Sequence, residues 1–259
     1  RTIFVEGAGN NGVNINAASE LFDLMEKFAG YGFNKSHSAA YSVVAFQTAY
    51  FKRHHPAAFF AANMSAVMGD TDKVKELFED AKANHIVVLA PDINTSNYRF
   101  EPVDVKSVRY GLGGIKGTGA GAIEAIIAAR TAGGPFRDLF DLCNRVDKHV
   151  VNRRVIEALV RAGALDFLLA DRATLLASVG RAIDKAELAL AHAGQESLFG
   201  DPTESAMPAI DYVQARAWSD RERLANEKLA LGFYFSGHLF TEFEHEARKL
   251  APTRLADAT

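Results

Sequence analysis

The sequence has a single cysteine, Cys143, and a single tryptophan, Trp218, among 259 residues. One thiol builds neither a disulfide framework nor a CxxC metal knuckle, so the chain is expected in a reducing compartment, the cytoplasm. There is no run of about 18 uninterrupted apolar residues and no charged start leading into an apolar stretch; the sequence predicts neither a membrane span nor an export signal. It also opens at Arg1 in mid-pattern, as a piece of a longer protein is expected to do. Nucleotide-loop signatures are missing: no GKS or GKT occurs, and the repeated βαβ pattern of a doubly wound sheet is not found. No pair of carboxylates is spaced to hold magnesium, and no nucleophile stands beside a base. Asp138 with Asp141, and Glu76 with Glu79 and Asp80, have the spacing of solvated helix faces. No catalytic residue and no metal ligand is therefore assigned.

The excess of one charge sign is small overall, with a formal net charge of -3, but charge is unevenly placed. From Lys106 to Lys185 there are 13 Lys and Arg against 8 Asp and Glu; from Ala186 to Thr259 there are 7 against 12. A basic middle followed by an acidic end suits a local phosphate-binding face. The 48% apolar content is enough to bury a core and to build more than one unit.

Helical periodicity dominates. Ala18, Leu21, Phe22, Met25 and Phe28 fall on one face, and Gly30 and Gly32 end that element. Residues 38–51 are apolar nearly all round, which predicts a helix buried on several sides. Pro56 opens a third helix, and Thr71-Asp72 is expected to cap a fourth that buries Val74, Leu77, Phe78 and Ala81. Ile86 to Leu89 is the best strand candidate. Asp171 caps a long Ala-rich helix that Gly194 stops, residues 195–217 read as linker, and helix resumes from Ser219 to Leu231.

The run Ile115-Lys116-Gly117-Thr118-Gly119-Ala120-Gly121-Ala122 lies between a short apolar stretch and a helix expected to begin near Ala120. Glycines at 117 and 119 are expected to turn the chain with positive φ and to expose backbone N–H groups at a helix N-terminus, where a phosphate oxygen fits. This is a helix-hairpin-helix signature, and Lys116, Arg109, Arg130, Arg153, Arg154 and Arg161 supply basic surroundings. Gly133-Gly134-Pro135 starts a weaker echo, with helices over 136–146 and 151–161 closing at Ala162-Gly163-Ala164. Such contacts give sequence-independent, salt-sensitive binding. Farther along, Gln195-Glu196-Ser197-Leu198-Phe199 has a polar head and two large apolar side chains between chain breakers. It can dock in an apolar cleft of a partner, or pack back on its own domain. Asn34, Lys35, Ser36 and His37 gather at a helix start and could hold a phosphate, or simply cap and solvate that helix.

Taken together, the stretch Tyr31 to Tyr41, the Tyr110 to Gly117 hairpin, Ala162 to Asp166, the Gln195 peptide and Leu231 to His238 resemble the bacterial C-family replicative polymerases, the DNA polymerase III alpha subunits, in order and spacing. The resemblance implies a mainly α internal stretch with little β. It would comprise a helical fingers portion over 1–95, a tandem helix-hairpin-helix domain over 96–185, the end of a long helix and a linker with a clamp-binding peptide over 186–217, and a helical segment over 218–259 leading toward an OB domain that is absent. It implies duplex DNA held at Lys116, Gly117, Thr118, Gly119, Gly121, Arg153 and Arg154; a sliding clamp, the beta subunit, bound through Gln195, Ser197, Leu198 and Phe199; and Asn34 to His37 on the nucleotide side. Other holoenzyme subunits are implied partners. The magnesium-binding palm aspartates of the family lie upstream, so no cofactor and no polymerisation are expected of this stretch by itself. From another class, a helix-hairpin-helix DNA glycosylase shares the hairpin but needs a catalytic Asp and a base pocket; a purely structural scaffold would not bind DNA at low salt.

Overall fold

The computed structural model describes residues 1–31, 35–169, 171–192 and 211–251. It divides into two units, Arg1–His54 and His55–Thr259. The first holds α1 (Thr2–Asn10), α2 (Ile15–Tyr31) and α3 (Lys35–His54). Phe4 and Phe22 join α1 to α2 with ring centroids 5.6 Å apart, Ala18 is buried between them, and Arg1 pairs with Asp23 at 2.7 Å. The expected burial of residues 38–51 is not found. Tyr41, Val43, Val44, Phe46 and Phe51 are all exposed, Phe46 by 71%. An all-round apolar helix is buried only where neighbours stand on several sides of it.

In the second unit, α4 (Pro56–Ala66) begins with proline at its first turn, where the missing N–H costs nothing. Next comes α5 (Thr71–Ala83), whose cap is Asp70 rather than Thr71: its carboxylate accepts from the Lys73 N–H at 3.3 Å. Val74, Phe78 and Ala81 face inward as their spacing predicts, and Leu77 is half-buried. Three short strands follow, β1 (Val87–Leu89), β2 (Glu101–Pro102) and β3 (Ser107–Arg109). They are ordered β1-β3-β2, with Val88 beside Val108 in the parallel pair and Glu101 beside Arg109 in the antiparallel one.

The remaining helices are α6 (Ala120–Gly133), α7 (Leu139–Arg145), α8 (Arg153–Ala162), α9 (Arg172–His192), α10 (Asp220–Leu231) and α11 (Glu244–Leu250). Among the described residues the chain is mainly α with this one small sheet, as the sequence predicts. Asp171 caps α9 through the Ala173 N–H at 3.1 Å, and Ser219 with Glu222 forms a reciprocal capping box on α10. One apolar core runs from α4 through α9 to Leu231 and Phe233, with Tyr110, Phe60, Phe136 and Ile123 fully enclosed.

Two features of this unit depart from a plain linear reading. Residues 211–217, expected as linker, lie extended along α7 and α9. The Tyr212 ring meets Phe140 edge-on at 5.4 Å, the Val213 N–H donates to the Ser178 hydroxyl at 2.9 Å, and Asp211 pairs with Arg181 at 2.5 Å. Aperiodic sequence does not exclude packing when single side chains find pockets. Secondly, α10 packs on α8, and the loop after it returns to the core. Phe78, Phe233 and Phe235 have ring centroids 5.1 to 6.5 Å apart, contacts that contribute about 0.5–1.5 kcal/mol each beyond area burial. Glu227, 1% exposed, accepts from Arg172 at 3.1 Å and from the Phe235 and Ser236 N–H groups at 3.2 and 2.9 Å. Arg172 also grips Asp166 with two bonds of 2.6 and 2.7 Å. Removing one member of so enclosed a charge network costs about 3–5 kcal/mol.

Candidate nucleic-acid interface

The first hairpin is built from strand to turn to helix. After β3 the chain makes a 3-10 turn at Leu112–Gly114, reverses at Gly117 with φ +84°, and enters α6. Thr118 locks the reversal: its hydroxyl lies within hydrogen-bond distance of the Ile115 and Leu112 carbonyls, at 2.7 and 3.1 Å. The Lys116 N–H donates to the Ala230 carbonyl at 2.7 Å, fastening the hairpin to the end of α10. The Lys116 side chain is exposed. Gly119 does not have the positive φ expected of it. It is the N-cap of α6 at φ -74° and ψ 155°, extended backbone open to any residue.

That correction sharpens the meaning of the glycines. Upstream, Gly111 and Gly113 are needed by the fold: an added Cβ would stand 2.4 Å from the Arg99 backbone or 2.6 Å from the Tyr98 ring. At Gly119 and Gly121 a Cβ would meet nothing within 4 Å. Glycine early in a helix costs up to about 1 kcal/mol relative to alanine, yet neither packing nor dihedral angle asks for it at 121. The N–H groups of Gly117, Gly119, Ala120 and Gly121 have no acceptor among the described residues, and α6 has no side-chain cap. Three of these donors, at 119, 120 and 121, stand at the positive end of the 14-residue α6, with open space at Gly119 and Gly121, an arrangement suited to cradling an anion.

The echo is real but differently finished. Asn152 caps α8, its side-chain oxygen accepting from the Val155 N–H at 3.2 Å. Gly163 ends that helix in the left-handed region at φ +83°. Arg153 lies in the first turn, donates to Glu157 at 2.7 Å and passes over Gly180, while Arg154 beside it is exposed and makes no ion pair among the described residues.

Two arginines counted as basic surroundings serve the fold instead. Arg130 donates to the Ile93 and Ser96 carbonyls, both at 2.8 Å, and to Asn97 at 2.9 Å. Burial draws its pKa below the usual arginine value, against the opposing pull of Asp92 and Glu101. Arg161 bonds Asn226 of α10. Arg109 is half-buried, 3.5 Å from the Ala90 carbonyl. Cys143 is buried, and burial and then Asp138 push its pKa up to about 12. Among the described residues no group of three His, Cys, Asp or Glu is arranged to hold a metal ion, and no step through magnesium is assigned to them. No described helix is long and apolar enough to cross a membrane.

Ser36 and His37 sit exposed in the first turn of α3, where the His37 and Tyr41 rings are 4.2 Å apart; Asn34 and the Lys35 side chain lie outside the described residues, as do Gln195, Ser197, Leu198 and Phe199. Sequence reasoning missed Thr118 as the lock of the turn and the Ala230 carbonyl as its anchor. A threonine two residues before a helix start is a weak local signal for the first; nothing local marks the second.

A family model described as "Helix-hairpin-helix motif" matches residues 85–175, which include both hairpins. DNA polymerase III subunit alpha of Neisseria meningitidis serogroup B is 49% identical over 98% of the chain. Over nearly its whole length the chain is thus similar to a stretch of the DNA polymerase III alpha subunit. The same subunit of Vibrio cholerae is 48% identical over 100% of the chain, and that of Escherichia coli K12 45% over 99%. The chain spans 22% of the length of each of these relatives.

Proposed function

We propose that this portion of a replicative DNA polymerase holds duplex DNA by its backbone and tethers the enzyme to a sliding clamp. The uncapped N-terminus of α6, with open space at Gly119 and Gly121, carries the first half of this reading. A phosphate seated on its N–H groups, with Lys116 beside it and Arg153 and Arg154 at the second hairpin, is gripped without any base being read. The resemblance supports the second half, in which Gln195 anchors a clamp-binding peptide by its polar end and Ser197, Leu198 and Phe199 complete it. Asn34 to His37 would face the incoming nucleotide in the whole enzyme, whose polymerising chemistry and magnesium belong to other residues. Two weak attachments on one chain raise effective concentration and lift avidity by roughly 10² to 10⁴, which serves processive copying of any sequence.

Lys116→Glu should weaken binding to duplexes of unrelated sequence by one common factor and reduce the salt slope by about 1. Fluorescence anisotropy across a salt series reads both, and a loss confined to particular sequences would contradict a backbone grip. Replacing Leu198 and Phe199 together by Ala should abolish clamp binding and spare DNA binding. Calorimetric titration with clamp showing undiminished affinity would remove the tether from this peptide.

A further inference from the structure

Beyond the hairpins, a cavity of about 510 Å³ opens between α5, the end of α10 and the loop that follows. Lys75 and Lys82 of α5, Lys228 of α10, and Tyr234 and His238 of the loop line it, with Glu79 the one carboxylate in its wall. The three lysines are exposed and make no ion pair among the described residues. Their nearest special contacts are aromatic: Lys82 stands 5.6 Å from the Phe78 ring centroid and Lys228 5.3 Å from that of Tyr234. Lys82 and Lys228 occupy the last turns of their helices, where one cation offsets the helix's partial negative charge. Lys75 stands two turns earlier, outside the reach of that effect. His238 accepts the Phe240 N–H on Nδ1 at 3.1 Å, so its neutral ring keeps Nε2–H as a donor.

The cavity and the first hairpin share α10 as a support. The bond from Lys116 to Ala230 fastens the hairpin to the same last turn that carries Lys228. Along α5, Lys75 and Lys82 are seven residues apart, about 10 Å, and so lie on one face of the helix.

We infer that the cavity is a second phosphodiester site, at which Lys75, Lys82 and Lys228 hold the DNA backbone beyond the stretch gripped by the first hairpin. The inference rests on the duplex-holding reading above. It extends the footprint of this domain across α10 to α5, with His238 as an added donor.

The test uses the full chain and Lys75→Gln/Lys82→Gln/Lys228→Gln, with affinities measured across a salt series for a short duplex and one about three times as long. On the long duplex the triple variant should lose about 2.7 from the salt slope, 0.9 for each phosphate contact. On the short duplex it should behave as the unsubstituted chain, and a triple arginine variant should restore the slope. Equal slopes for the triple variant and the unsubstituted chain on the long duplex overturn the site. Binding of free deoxynucleoside triphosphate or inorganic phosphate that is lost in the triple variant, with no change in duplex slope, overturns the backbone assignment in favour of a small anion. An unsubstituted chain that binds neither duplex at low salt overturns the hairpin reading itself. Loss of slope in Lys116→Glu but not in the triple variant overturns this site alone.

Discussion

The two hairpins meet one problem, the unpaired N–H groups at a helix N-terminus, in opposite ways. Before α8 the chain satisfies part of it internally, with the Asn152 side chain on the Val155 N–H, and adds charge through Arg153 and Arg154. Before α6 it leaves the donors open, puts glycine at the cap and again at 121, and spends its side-chain hydrogen bonds on fixing the turn behind them. The first arrangement yields helix stability and two cationic side chains in the first turn. The second gives up some stability for a rigid ring of donors that a phosphate can enter at close range.

Exchanging the two solutions should expose the difference. The largest effect is expected from Gly119→Asp. A carboxylate cap would satisfy α6 from within and place negative charge in the cradle, so duplex affinity should fall tenfold or more, about 1.4 kcal/mol, while the melting temperature stays level or rises. Anisotropy and thermal melting on the same sample check both signs, and undiminished affinity would mean the cradle is not used. Asn152→Ala should do the reverse, costing about 1 kcal/mol of stability with duplex affinity changed less than about twofold. A strong loss of binding there would make the second hairpin a cradle like the first.

The smallest expected effect lies behind the second hairpin, at Asp141 on α7. Burial raises its pKa, but the Arg137 N–H at 3.1 Å and Arg145 at 3.0 Å prevail and hold it below the usual 3.8. A depressed native pKa contributes stability that is complete above the unfolded value and disappears as pH falls through the folded one. Asp141→Asn should therefore be less stable than the unsubstituted chain near neutrality, by roughly 0.5 kcal/mol. The gap should close as pH drops below 3.8, and denaturant melts across that range would show it. A gap that persists in acid would assign the loss to hydrogen-bond geometry rather than charge.

Much of this arrangement was legible where a signal is local. The start of α6 at Ala120, the capping of α9 by Asp171, the resumption of helix at Ser219 and the proline entry of α4 follow from residues within one turn of the feature they specify. The cap of α5 fell one residue away because Asp70 and Thr71 are both good caps and only backbone geometry chooses between them. The basic surroundings of the hairpin were overcounted for a different reason. Arg130 and Arg161 find their partners 33 and 65 residues away, at Asn97 and Asn226, and no spacing rule announces such pairs.

By itself the sequence determined the helical order, the position of both hairpins and the family resemblance, because caps, glycines and periodicity act over a few residues. Tertiary structure alone decided which glycines of 111–121 serve packing and which stand open, which arginines are consumed by the fold, and that α3 meets solvent with its apolar side chains. Those outcomes depend on what lies opposite each residue in space. The return of residues 211–235 onto α7, α8, α9 and the core is the clearest case. It places Ala230 behind Lys116, so the hairpin is held by a part of the chain more than a hundred residues downstream.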